Sequence, residues 1–172
     1  MLRTLLFTAA LLAAAQGQWD ADYRALAAHH LVMPVQGVDP KAIQDTFTDA
    51  RSGGRTHEAT DILAPRNTPV VAADDGVIKK LFTSVRGGLT IYQFDPTETY
   101  CYYYAHLDHY AEGVKDNIPV HRGEVIGYVG TTGDAPPDTP HLHFEIGRLG
   151  PEKHWWQVSN INPYPLLKQM GR

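Results

Sequence analysis

The run His141-Leu142-His143-Phe144-Glu145-Ile146 alternates without a break. On an extended strand its two His and its Glu fall on one face, and Leu, Phe and Ile fall on the other. The apolar face drives burial of the strand. The polar face then presents two imidazoles roughly 7 Å apart along the chain. Such a pair can serve a metal site as two ligands, or as one ligand with the second beside it. By itself a His-x-His is also the pattern of an exposed strand.

His57-Glu58-Ala59-Thr60-Asp61 adds a carboxylate, with His57 and Asp61 of equal parity on an extended segment. The following Ile62-Leu63-Ala64-Pro65 reads as an extended run, because Pro65 disfavours a helix before it. Two neutral imidazoles and one carboxylate make a three-ligand zinc set with a position left for water, the pattern of catalytic rather than structural zinc. The plainer alternative is that His57 and Asp61 are turn residues after Arg51-Ser52-Gly53-Gly54. Tyr102-Tyr103-Tyr104-Ala105-His106-Leu107 offers a third imidazole, and alternation puts His106 on the face of Tyr102 and Tyr104. His109, His121 and His154 have no comparable context and read as surface residues; His29 and His30 have no partner identifiable from sequence. Cys101 sits in an aromatic strand rather than at a helix start, which argues for a small buried residue and against a thiolate nucleophile.

The elements that must carry these residues are strands. From Val35 onward, strand-like runs alternate with Gly, Asp and Pro turns at short spacing, which predicts one antiparallel β domain. Pro69–Ala73 and Val77–Lys80 flank Asp74-Asp75-Gly76 and predict a hairpin. Leu81–Val85 continues that strand to a turn at Arg86-Gly87-Gly88. Leu89–Phe94, Tyr100–Leu107, Glu124–Val129 and His141–Ile146 follow, the last being the final strand expected. Trp19–Met33 is rich in Ala and Leu and predicts one short helix, capped by Asp20 and ended by Pro34.

Met1-Leu2-Arg3 precedes an apolar stretch from Thr4 to Ala15, and Ala15-Gln16-Gly17 supplies small residues for cleavage. Residues 1–17 are therefore expected to be a signal peptide, too short to cross a bilayer. The expected organisation is a signal peptide over 1–17, a helical and linker segment over 18–46, and a catalytic domain over 47–172. An exported protein without a stable membrane anchor is expected, periplasmic or extracellular.

The 172 residues are 43% hydrophobic and 20% charged, which permits a normal core. Fifteen Lys and Arg against nineteen Asp and Glu give a formal charge of -4, so the counterion-release basis of nucleic-acid binding is lacking. One cysteine excludes an internal disulfide and a four-thiolate zinc site, while nine histidines direct any metal toward imidazole and carboxylate ligands.

Taken in order, several segments resemble the lysostaphin-type, or LytM-domain, zinc metallopeptidases that cleave peptidoglycan. They are Arg55-Thr56-His57-Glu58-Ala59-Thr60-Asp61-Ile62, Ala64–Val70, Asp75-Gly76-Val77-Ile78, Tyr104-Ala105-His106-Leu107, Arg122–Gly133 and His141-Leu142-His143-Phe144-Glu145. The resemblance runs from about Phe47 to Leu167. It implies a compact, mostly β fold with a narrow groove over one zinc ion, held by His57, Asp61 and His143. It also implies that His106 and His141 are catalytic histidines that do not bind metal. On that assignment Glu145 is expected to accept the second N–H of a ligating imidazole, because it shares their face; the plainer alternative is a solvated strand carboxylate. The family has Gly where Ala59 stands, which matters only if that position needs a positive φ.

The expected activity is zinc-dependent endopeptidase cleavage of peptidoglycan stem or cross-bridge peptides. A non-catalytic relative that activates other wall hydrolases is disfavoured, since all five site residues are present. Val120–Gly127 is also similar to half-motifs of lipoyl and biotinyl carriers, but the nearby turns lack the Lys those carriers modify. A cupin is excluded by the close spacing of His143 and Glu145.

Overall fold

The computed structural model describes residues 18–170, and these fall into two units that divide after His30. The expected signal peptide lies outside the described residues. In the first unit, residues 18–28 form helix α1, with Asp22 and Leu26 buried on one face. Asp20 lies inside this helix rather than capping it, and the Asp20 carbonyl accepts a bond from Arg24 Nε. The helix stops earlier than Met33 because His30 turns into the left-handed region (φ 54°). No helix among the described residues is long and apolar enough to cross a membrane.

The second unit is built from strands β1 (Ala50–Arg51), β2 (Arg55–Thr56), β3 (Thr60–Leu63), β4 (Pro69–Val71), β5 (Gly76–Ser84) and β6 (Gly88–Phe94). They are followed by β7 (Tyr100–Tyr110), β8 (Ile118–Val120), β9 (Val125–Val129), β10 (His141–Leu149) and β11 (Val158–Ile161), and by helix α2 (Tyr164–Gln169). β1 and β2 make a small hairpin. The other nine strands share one antiparallel sheet, in which β11, β10, β7, β6, β5 and β8 are successive neighbours. β3 extends the sheet along β10, and β9 bridges β7 and β4.

The mostly β architecture expected from sequence is present, with corrections to its pairing. β4 and β5 do not form a hairpin. β4 pairs with β9, and β5 pairs with β6 and β8. Asp75 is not in the left-handed region that a tight Asp-Gly turn requires. Besides the two strands of the β1–β2 hairpin, three elements were not expected. β8 carries Pro119 and sits beside β5 at an end of the strand path, where a missing N–H is tolerated. β11 is four residues long and only partly apolar. α2 starts within Pro163-Tyr164-Pro165, with Pro165 in its first turn, where its missing N–H removes no helical bond.

The core lies against one face of β6, β7 and β10. Tyr102, Tyr104, Leu142, Phe144 and Ile146 are fully buried there. The two tyrosine hydroxyls must find partners in that dry setting. Tyr102 donates to Asp74 (2.8 Å), and Tyr104 donates to the Gln93 side-chain oxygen (2.7 Å) while accepting from the Ala73 N–H (2.9 Å). The opposite face of the same three strands is where the histidines gather.

Candidate metal centre and catalytic groove

The alternation of β10 holds. Leu142, Phe144 and Ile146 enter the core while His143 and Glu145 stay part-exposed on the other face. β3 pairs with β10 so that Asp61 sits directly across from His143. Cross-strand neighbours have Cβ atoms about 4.5–5.5 Å apart, close enough to share one ion. His57 arrives differently. It is not on an extended segment with Asp61, since Glu58 takes a left-handed conformation (φ 59°) and the chain bends before β3 begins. Backbone bonds from His57 to Asp49 and from Glu58 to Phe47 fix that bend. Ala59 is fully buried and its φ is not positive, so alanine fills that position without strain.

Three atoms converge: His57 Nε2, Asp61 Oδ1 and His143 Nδ1, at 2.9, 2.9 and 3.2 Å from one another. The remaining ring nitrogens are already engaged. His57 Nδ1 donates to the Thr46 carbonyl (2.8 Å), and His143 Nε2 donates to Glu145 Oε1 (2.8 Å). With neutral imidazoles, all three converging atoms therefore present lone pairs. Such a cluster is repulsive unless a cation occupies it. Tetrahedral ligands at 2.0–2.1 Å from zinc stand about 3.3 Å apart, so small outward shifts accommodate the ion. The residues fit a metal, and this group could hold one. Without a cation, a proton takes its place. Burial opposes charge on His143, but hydrogen bonds to Asp61 and Glu145 outweigh it and lift the imidazole to about 9. Burial works to raise the Asp61 carboxyl, yet the bonds and charges of His143 and His57 hold it well below the usual carboxylate range. Arg51 Nη2 binds the second oxygen of Asp61 at 2.7 Å and fixes the plane of the carboxylate.

Alternation would send His106 into the core with Tyr102 and Tyr104. A bulge prevents this. Between the pairs Ile91–Tyr104 and Leu89–Leu107, β7 spends one residue more than β6, and His106 adopts φ 61°. Bulges of this kind re-aim a side chain beside a functional site. His106 instead lines the groove with Tyr103 and Ala105. Its N–H bonds the Gly87 carbonyl and its Nδ1–H donates to the Thr132 carbonyl, both at 2.8 Å. The Thr132 carbonyl is held in place by a close crossing of two loops. Gly88 (φ 63°) and Gly133 (φ 80°) meet there, and a Cβ on either would collide with the other loop. His141 Nδ1–H donates to the Thr139 carbonyl (2.8 Å). Both His106 and His141 thus keep Nε2 as a free lone pair. Their rings are 4.9 Å apart, and His141 Nε2 lies 3.8 Å from Asp61 Oδ1. Burial lowers His106 to about 4, so it is neutral at neutral pH.

The groove over these groups has a volume of about 810 Å³ and is lined also by Arg51, Arg55, Arg86 and Tyr103. His109 stacks on Tyr128 outside this groove, and His121 is exposed beside Asp75. His154 stacks on Trp156 rather than standing isolated. Cys101 is buried, and burial pushes its thiol upward, as expected of an inert residue. Sequence reasoning missed Arg51 and the carbonyls of Thr46, Thr132 and Thr139. Arg51 carried only a weak signal, as one of two arginines, with Arg55, shortly before His57, while a backbone carbonyl carries none.

The antiparallel sheet and its His57, Asp61 and His143 cluster define a domain built around a candidate metal site. Residues 55–158 match the model of Peptidase family M23, and the chain belongs to that family. It is 34% identical over 154 residues to an L-Ala--D-Glu endopeptidase of Bacillus subtilis, covering 86% of this chain and 45% of that protein. It is 40% identical over 122 residues to the DD-carboxypeptidase/endopeptidase Mpg of Neisseria meningitidis, covering 69% and 26%. The chain thus spans less than half the length of these two curated relatives. The catalytic domain of lysostaphin from Staphylococcus simulans aligns at a TM-score of 0.57 and 30% identity, covering 68% of this chain and 82% of that one.

Proposed function

We propose that this chain is a zinc-dependent endopeptidase, with one zinc ion per chain, that hydrolyses peptide cross-links of bacterial cell-wall peptidoglycan outside the cytoplasm. The observation that carries the reading is the triangle of three atoms able to ligate a metal, His57 Nε2, Asp61 Oδ1 and His143 Nδ1, opening onto a groove with His106 and His141 at its rim. Residues 47–172 form the catalytic domain in this reading, and 18–46 precede it. His57, Asp61 and His143 hold the ion, and two imidazoles with one carboxylate suit zinc. A zinc ion held by these three residues would supply Lewis acidity to the scissile carbonyl and to a water brought toward a neutral pKa.

His106 and His141 act without binding metal. Each has its Nδ1–H tied to a carbonyl, which leaves Nε2 to accept a proton from the attacking water and return it to the leaving amine. The two rings lie 4.9 Å apart, so the Nε2–H formed when one of them takes the water's proton can bond the oxyanion of the tetrahedral intermediate before that proton passes to the leaving amine. Glu145 fixes the tautomer of His143 by accepting its Nε2–H. Arg55 and Arg86 line the groove beside Asp134 and could each pair with a free carboxylate of a peptide. A relative from Vibrio cholerae, 37% identical over 92 residues and named Peptidoglycan DD-endopeptidase ShyC, agrees with this substrate.

Mass spectrometry of purified peptidoglycan, digested with the protein in the presence and absence of a chelator, tests the reading. Cross-linked muropeptides should fall to monomers only when metal is present. Persistence of cross-links with zinc-loaded protein, or cleavage that survives chelation and His143→Ala, would refute it.

A further inference from the structure

Beyond the groove, the same sheet face carries a second aromatic assembly. The segment after β10 folds back over it, and Trp155 seals Phe94, Cys101 and Leu149 together with Tyr92 and Val158. Trp155 meets Tyr92 at 4.6 Å and Phe82 at 5.4 Å between ring centroids. Trp156 then projects outward, 60% exposed, against the edge of Trp155 at 5.0 Å. His154 lies parallel to Trp156, with centroids 4.5 Å apart and planes within 9°. An exposed indole is costly to leave in water, and this one is held by its neighbours rather than free to fold away.

A cavity of about 350 Å³ adjoins this stack, at the lower end of small-molecule sites. Arg148, Glu152, Lys153, His154, Gln157 and Ser159 are among its lining residues, so His154 belongs to both features. The lining combines Arg148 and Lys153 with Glu152 and the neutral hydrogen-bonding side chains of Gln157 and Ser159. A flat aromatic face beside side chains that donate and accept hydrogen bonds matches a pyranose ring. Its axial C–H bonds meet the negative π face, and its hydroxyls and acetamido group reach the polar rim.

The platform is also joined to the groove. Trp156, Trp155, Tyr92, Tyr103 and His143 follow one another with centroids 4.6–6.0 Å apart. About six extended peptide residues, at 3.3–3.6 Å each, cover that path even if it is straight.

The geometry points to a saccharide subsite at Trp156 and His154 that binds the amino-sugar strand of the substrate while its attached peptide occupies the groove. This rests on the peptidoglycan reading of the groove and deepens it.

The experiment compares the full chain with Trp156→Ala, Trp156→Tyr and His154→Ala, none of which touches the metal site. Two readouts are used: binding of an N-acetylglucosamine oligomer followed by NMR, and cleavage of intact peptidoglycan against a sugar-free cross-linked peptide. Trp156→Ala should weaken oligomer binding and slow cleavage of intact peptidoglycan by roughly five- to tenfold, with Trp156→Tyr recovering most of both. The sugar-free peptide should be cut at the wild-type rate. Oligomer binding unchanged in Trp156→Ala, or equal losses on both substrates, would overturn the subsite. Failure of the wild-type chain to cut either substrate would instead count against the hydrolase reading, and the oligomer arm would still decide the subsite.

Discussion

Replacing Glu145 by glutamine removes one charge and leaves the β10 backbone untouched. The carboxylate accepts the Nε2–H of His143 at 2.8 Å, which leaves Nδ1 bare and aimed at Asp61 and His57. Partners of this kind typically contribute about 10–100-fold to metal affinity, or roughly 1.4–2.7 kcal/mol. A second effect opposes the first. The same carboxylate helps lift metal-free His143 to about 9 against the effect of burial, so at pH 7 the wild-type protein must expel a proton before zinc can bind. Two pH units below that pKa, the handicap is about 100-fold. The Glu145→Gln variant would bear less of it, because a neutral amide does not stabilise the imidazolium. The wild type should therefore exceed the variant in zinc affinity by the full 10–100-fold near pH 9.5, and by a smaller ratio at pH 7. Competition titration against a chromophoric chelator at both pH values measures this directly. The variant should also release fewer protons per zinc when titrated at pH 7 in buffers of different ionisation enthalpy. Equal affinities at pH 9.5, or a ratio that widens as pH falls, would show that Glu145 does not act through His143.

Three further outcomes follow from the same geometry. His106→Asn tolerates the left-handed backbone and keeps a donor for the Thr132 carbonyl, so it should fold and hold zinc like the wild type while losing at least about a hundredfold in kcat; a near-normal rate would remove His106 from the chemistry. Arg51→Ala frees the second oxygen of Asp61, and because Arg51 is partly exposed the loss of zinc affinity should be only about tenfold by titration, with Arg51→Lys intermediate. Gly133→Ala puts a Cβ into the Arg86 carbonyl at a positive φ, and should lower both the melting temperature and kcat because the Thr132 carbonyl moves from under His106; an unchanged rate would separate that loop from the site.

What sequence could reveal here depended on whether chemistry follows the period of a strand. β10 keeps strict alternation, so His141, His143 and Glu145 are legible on one face from the letters alone. β3 and the bend before it are less so, since the approach of His57 depends on Glu58 turning left-handed and on backbone bonds to the carbonyls of Phe47 and Asp49. β7 misleads, because its bulge reverses the face that alternation assigns to His106. The expected β4–β5 hairpin failed for a related reason. The apolar runs do form strands, but partner choice belongs to the whole sheet, and β4 finds β9 more than fifty residues onward. The carbonyls that orient the three donor-bonded histidines left no trace in the letters, since every residue has one.

The bulge in β7 also bears on transplanting this site into another protein. A designer who copies Tyr104-Ala105-His106-Leu107 onto a regular strand obtains the letters, with the imidazole buried where Tyr102 and Tyr104 lead. The kink that turns it outward is secured from two other places in the chain, the Gly87 carbonyl after β5 and the Thr132 carbonyl after β9. Those two loops interlock only because glycine stands at 88 and 133. The smallest graft that would carry a working histidine is therefore a three-piece cassette of strand and two glycine loops, assembled from parts of the chain that lie up to 46 residues apart.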